Sequence, residues 1–291
     1  MKILIIYNPL SGKKSHKDKQ IKNWLKKFAA ELEVDWHYTT SGSFENSNPD
    51  LYDRIFVAGG DGTIKEAASW IINKKSDTPL AIIPVGSANI LALSIGVPLD
   101  TKKAIKLGLT NKLKKIDVGI INNKHHFLIA AGCGFDAKVI KNTSRKMKKT
   151  WGCVAYIVSM VFSFFSSKAN KFFIKTDNQS LTVNAQSIFI SNFAKFFNFN
   201  LNPQAQINDG FLNVSILSTL NIRDLSIILP RLFMGNYKKD WRYQYKTAKE
   251  IYILPFNKKT PIQIDGEIID LPYLDIKVLP QALKIIAKKL P

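Results

Sequence analysis

The chain has 291 residues, 46% of them hydrophobic and 22% charged, the balance of an ordinary globular protein at a length that suits two domains. Its 42 Lys and Arg against 22 Asp and Glu give a net charge of +20, a field that attracts polyanions, either nucleic acid or an acidic membrane surface. Two cysteines, Cys133 and Cys153, and four histidines without metal-ligand spacing argue against a disulfide scaffold or a cysteine-built metal site and fit a reducing cytosol.

Lys2 to Tyr7 reads as a buried strand that ends in Asn8-Pro9-Leu10-Ser11-Gly12. It is too short for the apolar core of a signal peptide. Ile21, Trp24, Leu25, Phe28 and Leu32 then recur at helical spacing, with lysines 17, 19, 22, 26 and 27 on the wet face. Strands are expected at 34–39, 54–58 and 80–84, and helices at 64–73 and after residue 89. Such alternation predicts parallel βαβ units. The loops at 8–12, 59–63 and 84–89 all fall at strand carboxyl ends, where open α/β sheets bind ligands.

The loop Gly59-Gly60-Asp61-Gly62-Thr63 joins strand to helix. Glycines let the backbone turn tightly and approach a ligand, and the amides that open a helix favour phosphate. Asp61 adds a carboxylate where a magnesium–phosphate complex needs one. No G-x-x-x-x-G-K-[ST] P-loop, G-x-G-x-x-G fingerprint or G-x-S-x-G elbow is present.

From about Asp117 the texture becomes β-rich, with strand-like segments at 126–131, 171–176, 181–191, 211–217, 241–254, 262–265 and 274–279 and helical stretches near 136–166 and 221–234. The uncharged run Trp151 to Phe165, flanked by the basic residues 145–149, falls short of the roughly 20 residues of a membrane span. It reads as a buried helix or as one touching the headgroup layer. Asp265-Gly266-Glu267 is either a hairpin turn or a carboxylate on a rigid turn, aimed at an interdomain cleft as a general base. Asp209-Gly210 and Asp136 carry the same ambiguity, since turn carboxylates hold Mg²⁺ or simply cap the turn.

The ordered set Asn8-Pro9-x-Ser11-Gly12, Gly59-Gly60-Asp61-Gly62-Thr63, Pro84-x-Gly86-Ser87-x-Asn89, Gly132-x-Gly134-Phe135-Asp136-Ala137, Asp209-Gly210 and Asp265-Gly266-Glu267 resembles the diacylglycerol kinase catalytic family, in particular small bacterial lipid kinases of the YegS/DgkB/BmrU type. The glycine quintet alone is shared with NAD kinases. The resemblance implies an N-terminal three-layer α/β nucleotide-binding domain over 1–117, completed by 280–291, a C-terminal β-sandwich over 118–279, and an active site in the cleft between them. It implies ATP and Mg²⁺ as cofactors. Asn8, Pro9, Leu10, Ser11, Gly12, Thr40, Gly59, Gly60, Asp61, Gly62, Thr63, Ile64, Lys65, Glu66, Gly86, Ser87 and Asn89 then line the ATP site. Glu267 takes the proton of a lipid hydroxyl. A structural Mg²⁺ sits at Asp209 with the carbonyls of Gln206 and Phe211, and Asp136 helps organise the metal and its water. Asp61, Asp136 and Glu267 thus form the implied catalytic set.

Two departures stand out. Lys65 replaces the family's usual Asn, and the aromatic, asparagine-rich stretch 193–201 replaces a glycine cluster near the acceptor pocket. The expected protein is cytoplasmic and peripherally bound to anionic membranes, acts on a lipid and not on nucleic acid, and leaves a homodimer open. An NAD-kinase-like enzyme acting on a soluble nucleotide and a non-enzymatic basic membrane-binding protein are the alternatives.

Overall fold

The computed structural model describes residues 1–12, 17–28, 31–134, 169–177, 179–193, 195–196, 199–200, 202, 204–218, 222–237, 240–288 and 290. The chain divides into two units, Met1–Ile116 with Gln281–Pro291, and Asp117–Pro280.

In unit 1, strands β1 (Lys2–Tyr7), β2 (Glu33–Tyr38), β3 (Arg54–Gly59) and β4 (Leu80–Pro84) form a parallel sheet in the order β2-β1-β3-β4. The near-continuous apolar runs of β1, β3 and β4 are those of strands covered on both faces, whereas the edge strand β2 alternates and is only partly buried. Ile3, Ile5, Phe56, Ala58, Ala81 and Ile83 pack on one face with Ile21 and Leu25 of α1 (Lys17–Phe28) and Ile105 of α4 (Thr101–Gly108). The other parity along β1 and β3, Leu4, Ile6, Ile55 and Val57, is buried too, as are Ile64, Ala67, Ala68 and Ile71 of α2 (Asp61–Asn73). A short helix α3 (Ile90–Ser94) follows β4. Arg54 is buried at the end of α4, where its guanidinium donates to the carbonyls of Gly108 (2.6 Å) and Thr110 (2.9 Å). A cation there complements the helix dipole.

Unit 2 is a sandwich of two antiparallel sheets. The remaining elements of the chain, with the start of β5 and the end of β18 in unit 1, are β5 (Leu113–Ile121), β6 (His125–Phe127), β7 (Ala130–Gly134), β8 (Asn170–Thr176), β9 (Gln179–Ala185), β10 (Ser187–Ser191), β11 (Lys195–Phe196), β12 (Phe199–Asn200), β13 (Leu212–Leu217), α5 (Ile222–Met234), β14 (Tyr243–Ala248), β15 (Glu250–Pro255), β16 (Ile262–Ile264), β17 (Glu267–Ile269) and β18 (Leu274–Ile286). One sheet runs β14-β13-β10-β7-β16-β17; in the other, β15 lies between β18 and β8, and β9 follows β8. Ala131, Ile188, Val214 and Ile262 of the first sheet share one core with Phe172, Ile174, Ile251 and Ile276 of the second, as alternating inward residues of a sandwich do.

The segments read as single strands at 126–131, 181–191 and 241–254 are each two strands that belong to different sheets, broken at 128–129, at Gln186 and at Lys249. The helix expected from residue 64 begins at Asp61, with Gly60 as its N-cap. The predicted run 151–165 and Asp136 lie outside the described residues.

Candidate active site

Parallel strands put the ends of β1, β3 and β4 on one edge of the unit 1 sheet, and the three polar loops meet there. The Asn8 side-chain amide donates to Thr63 Oγ1 (2.9 Å), and its backbone amide donates to the Ala58 carbonyl (3.0 Å). Asn8 Oδ1 accepts the Leu10 amide (2.9 Å), which shapes the 8–12 turn. Gly86 lies against Gly60 so closely that a Cβ on Gly86 would sit 2.4 Å from Gly60 Cα. Gly12, at φ 77°, leaves no room either, since its Cβ would meet the Val85 carbonyl oxygen at 2.1 Å. Glycine is therefore required at both contacts.

Asn89 adopts the left-handed conformation (φ 50°), accepts the Gly86 amide (3.0 Å) and donates to the Gly86 carbonyl (2.9 Å). Asp61 ties the loops together: its carboxylate accepts the amides of Ile90 (3.1 Å) and Leu91 (3.1 Å), the first residues of α3. Burial pushes its pKa up, while those backbone amides pull it down by less.

The predicted ATP-lining residues thus fall into two kinds. Asn8, Asp61, Thr63 and Asn89 face inward as struts. Ile64 is fully buried, and its amide closes the first helical bond to Gly60 (3.1 Å), so its side chain belongs to the core and not to a ligand surface. Leu10, Thr40, Glu66 and Ser87 are exposed; Pro9, Ser11, Gly12, Gly60, Gly62, Lys65 and Gly86 are half-buried, and Gly59 ends β3. Gly62 and Thr63 stand in the first turn of α2, where amides have no acceptor within the helix. The result is a glycine-rich meeting of three loops at a positive helix end, a form suited to phosphate.

In unit 2, Asp265 and Gly266 both have positive φ (47° and 85°) and join β16 to β17 with Ile264 opposite Glu267. This is a two-residue type I′ hairpin, the turn that Asp-Gly favours. The Asp265 carboxylate also accepts three amides, those of Leu128 (2.8 Å), Ile129 (2.9 Å) and Ala130 (2.9 Å). The hairpin reading holds: Asp265 locks the turn to the 128–130 segment, and Glu267, two residues on, stands exposed as the first residue of β17.

Sequence reasoning missed Asp117. It is fully buried, and its carboxylate accepts the Gly210 amide at 2.6 Å. No local motif marks it; its partner is 93 residues away. Asp209 accepts the amides of Gln206 (3.0 Å) and Phe211 (2.9 Å). The two residues expected to offer carbonyls to a metal thus present amides to the carboxylate, as in a self-capped turn. Among the described residues no group of three or more His, Cys, Asp or Glu is placed to hold a metal. Donation by these two amides orients the Asp209 carboxylate and leaves the carbonyl oxygens of Gln206 and Phe211, the atoms expected at the metal, as separate groups.

Two family models match in tandem, the diacylglycerol kinase catalytic domain over residues 2–121 and the YegS C-terminal NAD kinase beta sandwich-like domain over 129–287. The chain belongs to the diacylglycerol kinase catalytic-domain family. Its relatives include the diacylglycerol kinase of Staphylococcus aureus (strain MRSA252), 28% identical over 269 residues, 90% of this chain and 85% of that protein. That of Staphylococcus saprophyticus is 28% identical over the same length and is covered to 88%. A crystal structure of a diacylglycerol kinase from Bacillus anthracis (strain Sterne) superposes with a TM-score of 0.73 at 20% identity, over 99% of this chain and 97% of that one. Yeast NADH kinase, solved with NADH, shares the fold more distantly, with a TM-score of 0.58 at 13% identity over 99% of this chain and 84% of that one. Among the described residues no helix is long and apolar enough to cross a membrane.

Proposed function

We propose that the protein is an ATP-dependent lipid kinase that transfers the γ-phosphoryl group to a hydroxyl of diacylglycerol or a related lipid. The observation that carries this reading is identity to diacylglycerol kinases sustained over 90% of the chain. Phosphoryl transfer asks a protein chiefly for positioning and charge stabilisation. The unit 1 loops support the first requirement: the 8–12 turn, Gly60, Gly62, Gly86 and Ser87 lie at the strand ends beside the opening of α2, which attracts phosphate oxygens. A divalent cation, which the kinase family implies, would offset the negative charge of the transferred phosphoryl group.

The general base in this reading is Glu267. An alcohol is a poor nucleophile at neutral pH, so its proton passes to the Glu267 carboxylate as the new O–P bond forms. The bond from the γ-phosphorus to the bridging oxygen breaks, and ADP leaves with that electron pair. Diacylglycerol would yield phosphatidic acid. Asp265 is the positioning residue: three amides fix its carboxylate, and it fixes the turn that carries Glu267.

The test is a panel of diacylglycerol, monoacylglycerol, phosphatidylglycerol, a sphingoid base and NAD, each incubated with ATP and Mg²⁺ and analysed by mass spectrometry. A lipid phosphate is the expected product. NAD phosphate without any lipid product would replace this reading with that of a soluble-nucleotide kinase.

A further inference from the structure

Helices α1 and α4 of unit 1 carry five and three lysines, with no arginine and with Asp18 the one acid. Among the described residues none of these lysines is in an ion pair, whereas other lysines of unit 1 are paired, Lys2 with Glu33 (2.7 Å) and Lys284 with Asp77 (3.0 Å). Beneath the lysines lies an aromatic layer. Trp24 and Phe28 stack, with ring centroids 5.5 Å apart and an interplanar angle of 15°. Lys102 and Lys27 lie over Trp24 at 4.6 and 5.7 Å, and Lys106 lies over Phe28 at 5.0 Å. Lys22 lies over Trp36 of the neighbouring strand β2 at 4.7 Å. Cation–π contact holds these ammonium groups above a common floor. Lysine stems lying along apolar surface with charged heads in water are the arrangement of a membrane-interface face.

We propose that this α1–α4 face is a docking surface for anionic lipid headgroups, a proposal that takes its purpose from the lipid-kinase reading. Charge complementarity selects the partner. A lipid surface presents a diffuse negative field that compact ammonium charges meet well. Base-specific readout of nucleic acid favours the planar forks of arginine over the point charge of lysine, and neither helix has an arginine.

The experiment measures co-sedimentation of the full chain with vesicles of phosphatidylcholine alone and of phosphatidylcholine with phosphatidylglycerol, at low and high salt. Two variants of equal charge are compared. The face variant replaces Lys26, Lys27, Lys102 and Lys106 with Gln; the control replaces Lys74, Lys75, Lys258 and Lys259, also exposed, with Gln. The proposal predicts salt-sensitive binding to the anionic vesicles alone, weakened by the face variant on the order of 100-fold and only slightly by the control. Equal losses in both variants would overturn it, because net charge would then suffice. So would wild-type binding to neutral vesicles as strong as to anionic ones, or a face variant that loses binding to single-stranded RNA but keeps the vesicles. Turnover of short-chain diacylglycerol in neutral detergent micelles, measured in parallel, should be unaltered in the face variant. Absence of that turnover in the wild type would count against the kinase reading alone and would leave the vesicle result standing.

Discussion

Both oxygens of Asp61 are committed to the opening amides of α3, so its removal acts on the scaffold as well as on the chemistry. Asp61→Ala should lower stability by about 1–3 kcal/mol, the cost of unpairing buried amides, and should reduce turnover at least about 100-fold through loss of preorganisation. A thermal melt and a kinase assay on the same preparation check both. Gly86→Ala is expected to drive the 59–63 and 84–89 loops apart, since the new Cβ has no room against Gly60; calorimetry should find ATP affinity down by at least about tenfold. Glu267→Gln keeps the size and removes the basicity. Turnover should fall by about 10²–10⁴-fold with ATP affinity nearly unchanged, because the base serves the acceptor and not the nucleotide. Weaker ATP binding with turnover preserved at saturating ATP would place the base elsewhere, with Asp136 next in line.

The elements show what local sequence reveals and what it withholds. The βαβ order of unit 1 and its three loops follow from apolar runs punctuated by Gly, Pro and Asn, because a turn announces itself in the residues that make it. The sandwich corners do not. At 128–129, Gln186 and Lys249 the chain leaves one sheet for the other without a glycine or proline, so β propensity runs straight through. Two of these corners are held by distant carboxylates: Asp265 takes the amides of 128–130, and Asp177 takes those of Lys249 and Glu250 (both 2.7 Å) from 72 and 73 residues away. Asp177→Ala should therefore destabilise the protein by about 1 kcal/mol in urea unfolding. The inward side of the three polar loops was illegible for the same reason: sequence spacing marks Asp61 as a candidate site residue, but not that α3 claims its oxygens.

Acid sensitivity has a source at α5. Asp240 is buried, which alone would raise its pKa, but the Arg242 amide and the guanidinium groups of Arg231 (2.5 Å) and Arg242 (3.1 Å) outweigh this and leave it depressed. A carboxylate depressed in the folded state contributes stability above its unfolded value, near 3.8, and loses it as pH falls through the folded value. Asp240→Asn should flatten the acid limb of a stability–pH profile below about pH 4; an unchanged limb would contradict the assignment.

At the scale of the whole molecule, unit 1 is discontinuous in sequence. Its last strand segment returns at Gln281 and pairs in parallel with β4 through Ile285 and Leu80. Leu283, Ile285, Ile286 and Ala287 are buried. Removing residues 281–291 should thus expose the β4 edge and cost several kcal/mol, at roughly 1.5–3 kcal/mol for each large apolar side chain. Limited proteolysis should then cut within 1–116 far sooner than in the full chain. The order of the motifs, the two family models and the relatives support a kinase of the diacylglycerol kinase family, and transfer to a lipid is the reading proposed on that basis. The most direct test of that claim is a one-pot competition in which ATP labelled at the γ-phosphate meets diacylglycerol and NAD together with the protein and Mg²⁺. Label should appear in phosphatidic acid and be lost with Glu267→Gln. Label in NAD phosphate, or in phosphatidic acid at the same rate with Glu267→Gln, would contradict the account.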